Sequence, residues 1–297
     1  VNRTINLSTP DTTPPYFTLI PNSTNITYGQ GFGVDFDATD ETSFGSYSIN
    51  WTNYFSINQS GYLKNTTQLA AGIYNIKVSI NDSSGNTNST IYQVVVNKAS
   101  QSIISLLNGL NSNLVVNYPQ QVNASYSGVN STAVIIKLNL TQINIAQNYT
   151  LAAGNYFLNY SVSENQNYTS YETYLNLTIN KASPSVRLYL NGVRNNLTIV
   201  YGNPINASAY SDSTGVILYR DGIDVTSENG LNKILTAEYY NYTAYFTGNQ
   251  NYTGGTETFF LNITKASQTA ILNINETSPI IYGNYINVSC NGELFRN

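Results

Sequence analysis

The acidic side chains of the N-terminal part are the groups best placed to do chemistry. Asp35, Asp37, Asp40, Glu41 and Asp82 gather there, and Asp11 lies in the segment leading in. An all-oxygen set suits calcium, which takes roughly six to eight oxygen ligands and is often held by loops at one pole of a β-domain. The expected ligands are Asp11, Asp37, Asp40 and Asp82. Asp and Asn also serve turns by bonding their own backbone, so the same residues have a purely structural use. Catalysis has less to work with. The chain has no His, which leaves general acid–base work to a carboxylate pair or a tuned Lys. Glu172, Asp221, Glu238 and Glu257 are scattered without convergent spacing, and neither a serine nucleophile elbow nor a phosphate-cradling glycine loop is present. No catalytic residue is assigned, and the expectation is that the chain is not an enzyme.

Asparagine offers a second chemistry. Asn-X-Ser/Thr occurs about two dozen times, where the Asn, Ser and Thr content alone would give roughly nine or ten. The glycosylation candidates are Asn6, Asn22, Asn65, Asn88, Asn123, Asn139, Asn148, Asn159, Asn167, Asn176, Asn196, Asn206, Asn241, Asn251, Asn262 and Asn287. Asn50, beside Trp51, is expected to be too buried for use. Phase matters more than number. Asn123, Asn206 and Asn287 recur at one strand position, Asn159 and Asn241 both lie on the outward phase of another strand, and Asn167 and Asn251 share one turn. Duplication of an Asn-rich repeat is the blander account. Sugar is the more useful one, because only 9% of residues are charged and a hydrated coat would replace the missing charge.

These residues must be positioned by a repeat. Lys-Ala-Ser recurs at Lys98, Lys181 and Lys265, and Tyr28-Gly29, Tyr201-Gly202 and Tyr282-Gly283 recur in phase with it, with Tyr118-Pro119 in the same place. Leu69-Ala70-Ala71-Gly72 is echoed by Leu151-Ala152-Ala153-Gly154, and Asn165-Gln166-Asn167-Tyr168-Thr169 by Asn249-Gln250-Asn251-Tyr252-Thr253. The spacing is that of one small β-sandwich. Within each copy apolar residues alternate with polar ones: Tyr74, Ile76, Val78 and Ile80; Tyr156, Leu158, Tyr160 and Val162; Ile205, Ala207 and Ala209. That period of two predicts half-buried strands, and no stretch carries helical spacing.

The copies resemble immunoglobulin-like and cadherin-like repeats of microbial surface proteins over nearly the whole chain. In immunoglobulin-like folds a tyrosine sits two residues before the strand F cysteine. Tyr74, Tyr156 and Tyr240 take that place, and Ile76, Leu158 and Tyr242 fill the cysteine position. The resemblance implies an all-β fold of tandem immunoglobulin-like sandwiches arranged end to end as a rod. The expected domains are 12–97 (cadherin-like or immunoglobulin-like), 98–180 and 181–264. Residues 1–11 are read as the last strand of a preceding domain plus a linker, and 265–297 as the opening strands of an incomplete one. The cadherin-like resemblance also implies calcium near Asp40 and Asp82, although Leu69-Ala70-Ala71-Gly72 stands where that family's mid-domain acidic motif is expected and no Asp-rich linker follows Val96.

The remaining features bound the partners. The scattered Lys and Arg and the net charge of −4 argue against nucleic acid. No apolar run approaches the roughly 20 residues needed to cross a bilayer. Cys290 is the only cysteine, and is expected to be a small buried thiol. The recurring Lys at each joint is read as capping the seam rather than as an isopeptide donor. Together these features predict an N-glycosylated extracellular structural protein of a filament, sheath, stalk or surface layer, with an archaeal leaning. It is expected to form homo-oligomers or polymers, with subunits joined by addition of the strand Val1–Leu7 to a neighbour's sheet. The alternative is an adhesin whose first domain binds a cell-surface or glycan partner and whose later domains are spacers.

Overall fold

In the computed structural model, burial follows the two-residue alternation of the long strands. The structure describes residues 9–130, 133–274, 279, 281–283, 285 and 287–290. The strand Val1–Leu7 and Asn6 lie outside the described residues, as does the side chain of Cys290. Every helical residue among those described falls in one 3₁₀ turn, Thr226–Glu228; the rest of the regular structure is β. The chain divides into two compact units, Val1–Val116 with Gln120–Ile179, and Asn117–Pro119 with Asn180–Asn297.

The first unit holds two sandwiches. In the first, Gly72–Asp82 and Thr87–Asn97 pair along their lengths, flanked by Phe44–Ile49 on one side and by Thr24–Thr27, running parallel, on the other. The facing layer is Gly33–Asp35, Tyr62–Asn65 and Phe55–Ile57, beside the pair Tyr16–Leu19 and Asp37–Thr39. Ile76, Val78, Tyr92 and Val94 meet Phe36, Phe55 and Leu63 in the core. The second sandwich packs a five-stranded sheet, centred on Gly154–Val162 and Tyr171–Asn180, over the three strands Ile104–Leu107, Val122–Ser127 and Asn148–Tyr149. In the second unit the same five-on-three arrangement recurs, centred on Tyr239–Phe246 and Gly255–Thr264, with Leu197–Val200 parallel to the latter. That unit also holds the antiparallel pair Leu272–Ile274 and Val288–Cys290. The fold is a tandem of immunoglobulin-like sandwiches.

The tyrosines that the repeat singles out close the same corner each time. Tyr74 Oη donates to Ala70 O (3.1 Å), Tyr156 Oη to Ala152 O (2.8 Å) and Tyr240 Oη to Thr236 O (3.2 Å). The positions that carry cysteine in disulfide-bonded immunoglobulin domains are filled by Ile76, Leu158 and Tyr242, each at most 2% exposed. Burial at these points replaces the cross-link.

Within the first unit the two sandwiches meet without a linker. The turn Asn165–Thr169 holds the incoming chain through Ala99 N–H to Asn167 O and Thr169 N–H to Ala99 O, both 2.9 Å. Its side chains reach back to the first sandwich and hold both backbone polar groups of one residue. Ala71 N–H donates to Asn167 Oδ1 (3.0 Å), and Gln166 Nε2 donates to Ala71 O. Tyr28 and Tyr168 pack edge to face at 5.3 Å beside them. Lys98 pairs with Glu164 at 3.0 Å on the exposed rim, which agrees with a seam-capping role.

Four tight turns share one device. Asn108-Gly109, Asn191-Gly192 and Asp221-Gly222 place both central residues at positive φ, as hairpin turns with the sheet's own twist require. In each, the first side chain accepts a neighbouring strand's N–H, from Asn123, Asn206 and Asn241 respectively. Asn139-Leu140 copies the device, with Asn139 Oδ1 taking the N–H of Phe157 (2.8 Å), but puts Leu140 at φ 76° where the next sandwich has Gly222. Leu140 is 87% exposed, so no packing offsets its backbone strain. Leu140→Gly, which keeps the Asn-X-Thr sequence, is expected to stabilise the second sandwich by about 1 kcal/mol. A raised denaturant midpoint at unchanged slope is the measurement; an unchanged or lowered midpoint contradicts it.

Candidate metal centre

The alternation that buries Ile76, Val78 and Ile80 carries on to Asp82, the last residue of its strand, which is 2% exposed. A carboxylate forced inward must find donors. The turn that follows supplies them: Ser84 N–H and Asn86 N–H reach Asp82 Oδ1 at 2.9 and 2.8 Å, and Asn86 Nδ2 reaches Oδ2 at 2.7 Å. Burial pushes the Asp82 carboxyl up. The side chain of Asn86 and the backbone N–H groups of Asn86, Gly85 and Ser84 outweigh it and hold the group below its ordinary value of 3.8.

Two further carboxylates converge on the same pole. The strand pair Tyr16–Leu19 and Asp37–Thr39 sets Tyr16 opposite Thr39, so the segment before the first strand and the residue after the second come to one end. Those are Asp11 and Asp40. Asp40 Oδ1 takes the N–H groups of Thr42 and Ser43, and Asp11 Oδ1 takes that of Thr13. The loop after Asp40 is tied to the loop after Asp82 by Ser83 N–H to Ser43 O (3.0 Å). Asn86 Nδ2 also donates to Asp11 O (3.1 Å) and so bridges two of the acids.

Ligand oxygens of Asp11, Asp40 and Asp82 lie within 4.8 Å of one another. Asp11 Oδ2 and Asp40 Oδ2 are buried and take no hydrogen bond from the protein. Three carboxylates this close repel, and two buried oxygens without donors are costly unless something else supplies positive charge. The donor set is all oxygen, two atoms of it are unsatisfied, and the groups sit in two loops and an entry segment. That combination fits a hard divalent cation of the calcium type.

Of the four expected ligands, the structure brings three together and leaves out Asp37. Asp37 sits inside its strand and is exposed, and its charge acts instead on the Tyr47 hydroxyl. Asp35 and Glu41 also lie outside the group. Asn86 is the residue that sequence reasoning did not single out. Its signal was the run Asn81-Asp82-Ser83-Ser84-Gly85-Asn86, whose last residue returns to the first acid.

Neither a protein-family model nor a curated protein matches the chain. Among solved structures it is similar to the extracellular cadherin domains 3–6 of protocadherin gamma B2, at 12% identity and a TM-score of 0.43, covering 90% of this chain and 77% of that one. It is similar to domains 22–24 of mouse cadherin-23, at 11% identity and a TM-score of 0.40, covering 85% and 99%. It is similar as well to a three-domain immunoglobulin segment of titin, at 15% identity and a TM-score of 0.33, covering 86% and 100%.

The candidate glycosylation asparagines divide by what their amides already do. Nδ2 of Asn65, Asn88 and Asn206 donates to the carbonyls of Thr67, Pro15 and Gly230, and Nδ2 of Asn123 donates to Asn148 Oδ1. Asn196 Oδ1 takes the N–H of Phe260, and Asn167 is engaged at the seam. Asn22, Asn176, Asn241 and Asn262 are exposed, Asn159 is half-buried on an outward sheet face, Asn251 is half-buried in its turn, and Asn287 is exposed. Asn50 is not buried, contrary to expectation. It is exposed, with Oδ1 accepting from Lys77 N–H, because Trp51 lies over the sheet edge with its Nε1 on Asn75 O. The scattered acids serve structure: Glu172 accepts from Tyr174 Oη, Asp221 caps a turn, and Glu257 holds Arg194 and the N–H of Leu188. No helix among the described residues is long and apolar enough to cross a membrane.

Removing the bridge should loosen the pole. Asn86→Ala withdraws donors from Asp82 and from Asp11 O, and is expected to cost the first sandwich about 2 kcal/mol. The stability that Asp82 contributes has a fixed sign. Its folded carboxyl titrates below the ordinary value, so the contribution is complete above pH 3.8 and is lost as pH falls through the lowered value. The stability difference between the native chain and Asp82→Asn should therefore shrink below pH 3.8. Thermal melts across that range check it, and a pH-independent difference contradicts it.

Proposed function

We propose that the chain is a section of an extracellular structural repeat protein, a stalk, filament, sheath or surface-layer component. On this reading it is N-glycosylated and holds calcium at the pole of its first sandwich, through Asp11, Asp40 and Asp82. The observation that carries the structural role is the linkerless seam at Ala71. Two side chains of one sandwich satisfy both backbone polar groups of a single residue in the other, a contact that resists bending and twisting and has no use in a flexible tether. Calcium supports the same role, because a cation tying the entry segment to two loops of the first sandwich would stiffen the approach to it.

The assembly reading is tested by electron microscopy of the native protein without added ligand. Ordered polymers are expected. Dispersed monomers whose binding to cells or glycans maps to the first sandwich would make the protein an adhesin instead. The seam is tested by Asn167→Ala and Gln166→Ala, each expected to weaken the coupling between the first two sandwiches by about 1–3 kcal/mol. The readout is divergence of their two unfolding transitions; transitions that stay coincident sink the claim. Calcium is tested by melting with calcium and with chelator. Free calcium at a hundred times its dissociation constant should add about 2.7 kcal/mol. Asp40→Asn should abolish the increment, and an increment that is absent in the native chain refutes the site.

A further inference from the structure

Two pairs of exposed aromatic rings stand on the outward faces of the long strand pairs. Phe157 and Tyr174 stack at 5.0 Å with their planes 26° apart, and Tyr239 and Phe260 stack at 5.5 Å and 22°. Their exposures run from 36% to 63%. Aromatic residues are good strand formers, but propensity alone places them anywhere on the outer face. These are placed by rule.

Each ring sits two residues before an acceptor-type asparagine: Phe157 before Asn159-Tyr160-Ser161, Tyr174 before Asn176-Leu177-Thr178, Tyr239 before Asn241-Tyr242-Thr243, and Phe260 before Asn262-Ile263-Thr264. The residue between Asn and Ser or Thr is buried in all four, at 3% exposure or less. Ring, asparagine and hydroxyl therefore share the outward face. The cross-strand register completes the figure. Phe157 lies opposite Asn176 and Tyr174 opposite Asn159; Tyr239 lies opposite Asn262 and Phe260 opposite Asn241. Directly opposed residues have their Cβ atoms about 5 Å apart, so every ring flanks two asparagines and every asparagine two rings.

Two comparisons within the chain separate this block from simple inheritance. In the first sandwich the matching strand pair lacks the block: Asn75 is followed by Ile76 and Lys77, and the acceptor sequence Asn81-Asp82-Ser83 has Ser79, not a ring, two residues before it. There the exposed apolar residues are Ile73 and Ile91, and no ring stands on that face. Between the second and third sandwiches the block is displaced. Phe157 follows the corner residue Tyr156, whereas Tyr239 precedes the corner residue Tyr240. Copying a repeat would have kept it in step; instead the rings moved with their asparagines. The amide nitrogens also differ from those engaged elsewhere. Thr243 Oγ1 donates to Asn241 Oδ1 at 3.2 Å, which leaves Nδ2 clear, and Nδ2 of Asn159, Asn176 and Asn262 donates to no protein group among the described residues.

Resting on the glycosylation reading above, we propose that Asn159, Asn176, Asn241 and Asn262 are the modified sites of these sheets, and that each stacked aromatic pair seats the first sugar of a chain attached beside it. Modification joins Asn Nδ2 to the anomeric carbon of a sugar carried on a phosphate-ester donor. The anomeric C–O bond breaks, its electron pair leaves with the phosphate, and the amide gives one proton to a base of the transferring enzyme. The attached sugar lays its C–H face on the rings and keeps its hydroxyls in water. It covers apolar area that the sheet otherwise exposes.

Site-resolved mass spectrometry of glycopeptides from natively produced protein is the first test. Occupancy at one or more of the four, on each platform, is expected. Sugar at other asparagines but none at these four overturns the proposal and spares the glycosylation reading; no sugar anywhere overturns both. The second test compares the melting of glycosylated and enzymatically deglycosylated protein. Removing the sugars should lower the transition of the second sandwich by about 4 °C or more, and that drop should vanish in the Phe157→Ser, Tyr174→Thr double variant. An equal drop in the variant overturns the seat while leaving the modification sites. Should that variant not fold, nuclear Overhauser contacts between ring and sugar protons in the native glycoprotein are expected, and their absence overturns the seat equally.

Discussion

Two paired strands of about ten residues, alternating inward and outward without a slip, set the position of nearly every group discussed above. In the first sandwich Gly72–Asp82 and Thr87–Asn97 stay in continuous register from Gly72 opposite Val96 to Asn81 opposite Thr87. The inward set is Ile76, Val78 and Ile80, and the same phase delivers Asp82 to the pole. In the second and third sandwiches the matching pairs put Leu158, Tyr160, Tyr242 and Ala244 inward, and so asparagines outward. A one-residue slip would bury Asn159 and Asn241 and expose the core. The corner tyrosines pin that register by tying the strand start to a carbonyl four residues back.

Charge is scarce, and only part of it is paired. Among the described residues the ion pairs are Lys98 with Glu164, Arg194 with Glu257, and Glu228 between Arg220 and Lys233. The first is largely exposed and contributes little. Arg194 grips Glu257 with two nitrogens, and Arg220 sits against Tyr242 as well as Glu228. None of these bases reaches Asp11, Asp40 or Asp82. A chain this sparing with charge has gathered three carboxylates at one point without a cationic side chain to balance them. In a fold that pairs its half-buried Glu257 with an arginine, the missing partner at the pole is the argument for a metal.

The architecture was legible because it follows from alternation, and alternation is written directly in residue order. The corner tyrosines, the hydrophobic residues at the cysteine positions and the repeated seam motifs were all readable as recurrences. Their physical use was not. That Gln166 and Asn167 clasp the backbone N–H and C=O of Ala71 depends on two motifs far apart in sequence, and a repeat shows only that both recur. The three acids that the structure gathers were readable from composition near the turns. Asp37 misled because its neighbours are acidic, whereas side-chain direction inside a strand is set by phase and took it to the outer surface. Asn50 misled for the converse reason: adjacency to Trp51 implied burial, but the indole lies on the sheet edge and leaves the asparagine in solvent. The aromatic blocks needed cross-strand register, which single-strand patterns do not contain.

The sandwiches solve one problem in two ways. An all-β body with few charges exposes polar backbone edges and apolar patches that invite association. The first sandwich keeps the acids at its pole, and leaves Ile73 and Ile91 bare on its outer face without stacked rings. The second and third have no acid cluster among their described residues and carry rings with acceptor asparagines instead. If both devices served only solubility, they should mix freely across the copies. They segregate. The carboxylate pole sits where the chain enters the first sandwich, a position suited to fixing geometry, while the ring-and-asparagine blocks cover broad sheet faces, a position suited to shielding. On the proposed reading, stiffening at an entry and shielding along a flank are separate tasks, given to separate copies of one fold.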